Sequence, residues 1–321
     1  MLSDPHDRFF KSSFGQIALV RDLLRGFLPE PVRKALDIDS LEFVPTERVG
    51  PFFERTHLDL ALSGRLLGAS GGPVRIYILV EHKSRPDPGL FLQLLRYMVA
   101  LWSEDEGSGR PPTPILPFVL HQGEETADAR RFFEHTGAPE VLRPYALDFA
   151  PLFLDLGSLD DGEIRGQARR LETVAALLAM KHILRSPLEG MVALFEPIGE
   201  DLSDSALALV LRYLVVYYRI EGRERFVRLV RDLHAEERMP TFIEELEEEA
   251  MKRGLEQGLE QGLEKGLEKG REEGLEKGLE KGREEDIRKL LRKGILSPEE
   301  IADALEVDLS RVLGIQREIA R

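Results

Sequence analysis

Asp59, Glu81 and Lys83 have the side chains that metal-assisted phosphodiester chemistry uses. In Val80-Glu81-His82-Lys83, residues two apart on an extended chain share a face. Glu81 and Lys83 therefore project together, and His82 points away. Asp59 lies on the preceding extended segment, and a hairpin would set the two segments side by side. Two carboxylate oxygens within about 2.0–2.6 Å of one point suit a hard divalent cation, Mg²⁺ or another such as Mn²⁺ or Ca²⁺. A water on that cation is activated for in-line attack on phosphorus. The lysine would orient or deprotonate the water and offset phosphate charge. The same residue types also occur as solvated strand-edge acids, and Glu-x-Lys as a cross-strand ion pair. Placement favours chemistry, because Glu81 and Lys83 close the apolar run Ile76–Val80. Charges buried there need partners or a metal.

Periodicity supplies the elements that would hold these residues. Phe10, Phe14, Ile17, Val20, Leu24 and Phe27 form a helical stripe over 7–28, stopped by Pro29. Residues 41–44 read as extended. Residues 56–62 alternate, with Leu58, Leu60 and Leu62 on one face and His57, Asp59 and Ala61 on the other. The Gly- and Ser-rich stretch 63–73 predicts a hairpin loop. Residues 75–83 carry the strongest strand pattern, 89–102 a helix, and 115–120 a short apolar strand. The order is helix, three strands, helix, strand. From about Asp161 the pattern is helical, with Leu171, Val174, Leu178 and Ile183 in one helix and Leu207, Val210, Leu214 and Tyr217 in another.

The 321 residues carry 44 Lys and Arg against 58 Asp and Glu, a net charge of −14, which excludes a generally basic nucleic-acid coat. The excess is local: residues 244–285 hold 15 acidic and 8 basic residues, half of the net charge. With no cysteine, disulfides, thiolate metal sites and cysteine nucleophiles are excluded. No Walker loop, Gly-x-Ser-x-Gly elbow or zinc-spaced histidine set is present. No secretory leader or membrane span is apparent, so the expectation is a cytoplasmic chain.

Glycine recurs every fourth residue from 254 to 282, followed by Leu or Arg and then Glu. A period of four advances any stripe by about 40° per repeat. Each glycine costs about 1 kcal/mol of helix stability relative to alanine. The segment reads as a semi-flexible spacer or as a glycine-lined helix for homo-oligomerisation. Beyond it, Ser297-Pro298-Glu299-Glu300 is a capping box. A break at 306–308 and a second helix from Leu309 complete a small module, for dimerisation, docking or nucleic-acid reading. The expected segments are 1–160, 161–243 as a helical extension, 244–285 and 286–321.

The stretches HDRFFKSSF (6–14), LLRGFLP (23–29), HLDLAL (57–62), ILVEHKSRPD (78–87), QLLRYM (93–98) and ILPFVLHQG (115–123) resemble the Rpn family. These are the recombination-promoting nucleases, or YhgA-like putative transposases, of the PD-(D/E)xK superfamily. The resemblance implies an α/β fold with a restriction-endonuclease-like αβββαβ core. It also implies metal-dependent cleavage of DNA, linked to recombination. Asp59 and Glu81 would be metal ligands and Lys83 the catalytic lysine. Gln93 would contact DNA or the attacking water, whereas Tyr97 reads as core. His6 and Asp7 match the family's opening motif, and either approach the site or cap the first helix. His121 and Gln122 depart from the family's usual Tyr-His. His57 would join the metal face, donate to the DNA backbone or stay inert. Arg48, Arg55, Arg75, Arg85 and Arg96 are candidates for a basic rim against DNA. A degenerate, non-cutting scaffold that assembles through its repeat is the competing expectation.

Overall fold

The computed structural model describes residues 5–45, 47–49, 55–67, 74–125, 131–220, 222–238 and 241–319. The chain divides into two compact units, residues 1–247 and 248–321, so the sequence boundary at 160 falls inside the first. Its elements begin with α1 (Pro5–Phe14), α2 (Ile17–Phe27), α3 (Glu30–Ala35) and β1 (Leu36–Phe43). Then come β2 (Glu47–Val49), β3 (Arg55–His57), β4 (Leu60–Leu66), β5 (Val74–Lys83), α4 (Leu90–Gly107) and β6 (Ile115–His121). After α5 (Phe132–His135), a 3₁₀ turn (Glu140–Tyr145) and β7 (Leu152–Asp155), the chain is helical. These helices are α6 (Asp161–Gln167), α7 (Leu171–His182), α8 (Leu188–Gly199), α9 (Asp204–Tyr217) and α10 (Arg223–Asp232).

The five-stranded sheet runs β1-β4-β5-β6-β7. The β1/β4 and β4/β5 pairs are antiparallel, and β5/β6 and β6/β7 are parallel. β5 is therefore central, as its continuous apolar run requires, since both of its faces must be covered. One face carries Ala61, Tyr77, Leu79 and Val119, and it packs on Leu90, Leu94, Tyr97, Met98 and Leu101 of α4. On the other face, Phe10 of α1 stacks on the His82 ring at 5.0 Å. α1 packs in turn against α7 and α9, so the helices beyond residue 161 form the layer behind it.

The structure departs from the sequence pattern in instructive places. The single helix expected over 7–28 is two helices, broken at Gly15. A Cβ there would strike the Lys11 carbonyl, so the backbone turns where only glycine fits. The alternating strand over 56–62 is bent at Leu58 and Asp59, between β3 and β4. The bend shifts the phase, so Leu58 joins Ala61 beneath α4 instead of siding with Leu60 and Leu62. β4 continues to Leu66 into what read as loop. Periodicity also left β7 unassigned, because four residues are too few to show alternation.

In the second unit the repeat lies within one helix, α11 (Phe242–Lys293), of 52 residues. α12 (Pro298–Ala304) and α13 (Leu309–Ile319) fold so that Ile301, Ala302, Val312 and Ile315 bury Ile287. The Ser297 capping box forms as the sequence predicts, with Ser297 N–H donating to Glu300 Oε2 at 2.7 Å. Among the described residues, no helix is long and apolar enough to cross a membrane.

Asp22 of α2 is 2% exposed and caps α7 from a distance, accepting the backbone N–H groups of Arg169 (3.1 Å) and Arg170 (2.9 Å). Truncation removes both part-buried bonds, a loss of about 1 kcal/mol or more. Asp22→Ala should lower the thermal midpoint by several degrees in a calorimetric melt. An unchanged midpoint would show that the cap carries no stability.

Candidate functional site

The β4/β5 register pairs Leu60 with Val80, and one step further sets Asp59 across from Glu81. Both acids thus stand at the end of the central strand, beside the N-terminal turns of α4. Glu81 and Lys83 face α4, as alternation predicts, and Gln93 reaches down from that helix to both. Gln93 Nε2 donates to Glu81 Oε1 at 2.7 Å, and Lys83 Nζ donates to Gln93 Oε1 at 2.9 Å. Lys83 Nζ also lies 3.0 Å from Glu81 Oε1 and 2.9 Å from Asp87 Oδ2. Asp87 is four residues beyond Lys83 in the same quoted motif, a spacing that sequence reasoning left unused.

Asp59 is met from two directions. Its Oδ2 accepts the His82 backbone N–H at 2.9 Å, and its Oδ1 lies 3.0 Å from Lys11 Nζ. Lys11 is also 3.1 Å from Asp7 Oδ1, one helical turn back. One ligand-type atom each of Asp7, Asp59 and His82 lie within 4.8 Å of one another, a spacing one cation can bridge. Asp7 therefore approaches the site besides occupying the first turn of α1. Lys11 and the His82 ring are site neighbours that the sequence reading missed. The Asp7–Lys11 spacing of four was their only local signal.

Burial dominates the electrostatics. The Glu81 carboxyl is pushed up to about 7, first by burial and then by the Asp59 charge, against the pull of Lys83 and Gln93. Burial also raises the Asp59 carboxyl, offset in part by the His82 N–H and Lys11. For Lys83 burial works the other way, but Glu81 and Asp87 outweigh it and hold the ammonium above its ordinary range. Lys83 is therefore a fixed positive charge at neutral pH. Glu81 Oε2 is buried with no hydrogen-bond partner among the described residues. When ionised, Asp7, Asp59, Glu81 and Asp87 against Lys11 and Lys83 leave a formal charge of −2, which one divalent cation would cancel.

Other expected residues fall differently. Tyr97 is 1% exposed in the α4 core, and its hydroxyl donates to Pro45 O at 2.9 Å. His121 Nδ1 lies 3.5 Å from Asp155 Oδ1. Gln122 is fully buried and His6 nearly so. Arg85 and Arg96 are exposed in segments that flank the site. Arg75 is not a rim residue, because it pairs with Arg65 toward the opposite end of β5. That is about 20 Å along the strand from Glu81. The side chains of Arg48, Arg55 and His57 lie outside the described residues.

Fold and site together define an α/β protein with a buried carboxylate–lysine centre at the end of its sheet. The chain belongs to the family described as putative transposase, YhgA-like, whose model matches residues 4–206. It is 28% identical over 258 residues to the inactive recombination-promoting nuclease-like protein RpnE of Escherichia coli strain K12, covering 77% of this chain and 83% of that protein. It is 28% identical over 244 residues to the recombination-promoting nuclease RpnD of Escherichia coli O157:H7, covering 74% and 89%. It is also 26% identical over 235 residues to the recombination-promoting nuclease RpnC of strain K12, covering 71% and 75%. No solved structure matches the chain.

The raised Glu81 carboxyl carries a sign. The folded chain holds this proton up to about pH 7, whereas an ordinary glutamate releases it near 4.5. Stability from this group is therefore full below 4.5 and is lost as pH rises through 7. Glu81→Gln should melt a few degrees above wild type at pH 8, and the gap should close by pH 4.5. Melts across that range check it, and a gap independent of pH would contradict the assignment.

Proposed function

We propose that this protein is a metal-dependent DNA endonuclease of PD-(D/E)xK type, built on a restriction-endonuclease-like core and serving DNA recombination or transposition in the cytoplasm. The observation that carries the reading is the buried Glu81 Oε2, without a hydrogen-bond partner among the described residues, in a carboxyl whose charge Asp59 opposes and whose other oxygen lies 3.0 Å from Lys83. RpnD and RpnC, both named as recombination-promoting nucleases, support it. An all-oxygen donor pair fits Mg²⁺, with Mn²⁺ or Ca²⁺ as substitutes. Asp59 and Glu81 are the proposed ligands. The cation, when bound, would supply an acidified water and shield the scissile phosphate.

The protein's own groups do the rest. Lys83 stays charged, so it donates to the phosphate oxygens or orients the water, and does not serve as the base at neutral pH. Gln93 bridges Glu81 and Lys83 from α4 and would contact DNA or the attacking water. Water oxygen would attack phosphorus as the opposite phosphorus–oxygen bond of the DNA backbone breaks, with the water's proton passing to solvent and the departing oxygen taking a proton back from it. Arg85 and Arg96 supply exposed cations for the backbone. With the chain acidic as a whole, DNA binding is weak and falls steeply with salt.

A second reading is favoured by one feature. Six leucines of α11, from Leu255 to Leu279, are each at least 60% exposed. In this reading the fold is a non-cutting scaffold that assembles with copies of itself, in keeping with the inactive label on RpnE.

Plasmid nicking with Mg²⁺, Mn²⁺ or Ca²⁺ separates the two. Wild type should nick with Mg²⁺ or Mn²⁺, and Asp59→Ala and Lys83→Ala should each be slower by at least about 100-fold. Equal nicking by all three would reject the nuclease reading. Light scattering on a chain ending at Glu249 tests the second reading, because an unchanged assembly state would remove α11 as the assembly device.

A further inference from the structure

The polar residues behind the site are not accounted for by its chemistry. His82 is 7% exposed, and its Nε2 lies 2.8 Å from Gln122 Oε1. The amide end of Gln122 turns the opposite way, with Nε2 donating to His6 Nδ1 at 3.0 Å. The same His6 Nδ1 is 2.6 Å from the hydroxyl of Tyr213 on α9. His6 and Tyr213 are 9% and 3% exposed, and Gln122 is 0%. Four side chains from α1, β5, the end of β6 and α9 thus form one buried line ending at the residue whose N–H holds Asp59.

The line is fixed at Gln122 through its backbone. Gln122 N–H donates to Lys83 O at 2.9 Å, and Arg185 Nη1 donates to Gln122 O at 3.0 Å. Arg185 also donates to Gly123 O. A Cβ at Gly123 would lie 2.9 Å from Ser84 O, so this crossing of strand ends needs glycine. The Tyr213 hydroxyl is also 3.5 Å from Gln122 Nε2, so Gln122, His6 and Tyr213 close a three-membered polar contact. The Gln122 oxygen meets His82 Nε2 at 2.8 Å and so fixes the angle of a ring that lies beside Asp7 and Asp59. An imidazole that holds or approaches a cation depends on such a partner for its tautomer and ring angle.

We propose that Tyr213, His6 and Gln122 are positioning residues for the Asp59 centre, acting through His82, so that the helices beyond residue 161 complete the site. The inference rests on the metal-site reading and adds residues from another layer to it. Its test is Mn²⁺ affinity by calorimetry on the full chain, with Tyr213→Phe beside Tyr217→Phe. Tyr217 sits on the same helix and packs its ring against His6 at 5.4 Å, but it lies outside the line, so it is the matched control. Tyr213→Phe should bind Mn²⁺ about tenfold more weakly, and Tyr217→Phe should bind as wild type does. In ¹⁵N-histidine NMR, the imidazole signals absent from His82→Gln should shift in Tyr213→Phe and stay put in Tyr217→Phe. If Tyr213→Phe melts far below wild type, Gln122→Met reads the same link and should show the same loss. Wild-type affinity in Tyr213→Phe, or unmoved His82 signals, would overturn the proposal. A wild type that binds no Mn²⁺ overturns the metal reading instead, and the positioning set then stands or falls on the His82 signals.

Discussion

A carboxyl buried at the end of the central strand is the constraint around which the first unit is arranged. Glu81 sits where five preceding apolar residues have already excluded water, and ionising it there is costly. The neighbouring residues answer that cost. Gln93 and Lys83 share one oxygen, Asp87 steadies Lys83, and the other oxygen has no hydrogen-bond donor among the described residues. A group arranged only for stability would have been paired fully or replaced by a leucine. The half-satisfied carboxyl therefore reads as a site, and it is the strongest physical ground for the functional conclusion.

Much of this was legible in the sequence because the informative residues are close together. Ile76–Val80 announces a strand covered on both faces, and the two-residue step fixes Glu81 and Lys83 on one side. The capping box at Ser297 is likewise a local signal with a local consequence. Asp59 is a harder case. Its strand alternates cleanly from Thr56 to Leu62, yet the chain bends at Leu58, so the right residue was found through a pattern that fails one position away. The break at Gly15 was hidden for the opposite reason, since the apolar stripe runs straight across it and only a carbonyl clash reveals the turn.

What remained illegible depends on long-range pairing. Lys11 meets Asp59 across 48 positions, and Tyr213 meets His6 across 207. No periodicity or motif encodes either contact. The sequence reading divided 1–160 from 161–243 on the change to helical periodicity, and periodicity is blind to a tyrosine that reaches from one segment to the other. The glycine repeat shows the limit of propensity arguments. Eight glycines argue against helix one residue at a time, whereas the tetrapeptide lies in a helix of 52 residues.

That helix has an arithmetic of its own. Four residues are twelve bases, so a repeat gained or lost when the template slips during copying keeps the reading frame. Each such event changes the rod by about 6 Å and turns its far end by about 40°. Its length and its angle are therefore heritable in fixed increments, and a lineage can retune both in one step without altering a single residue on either side.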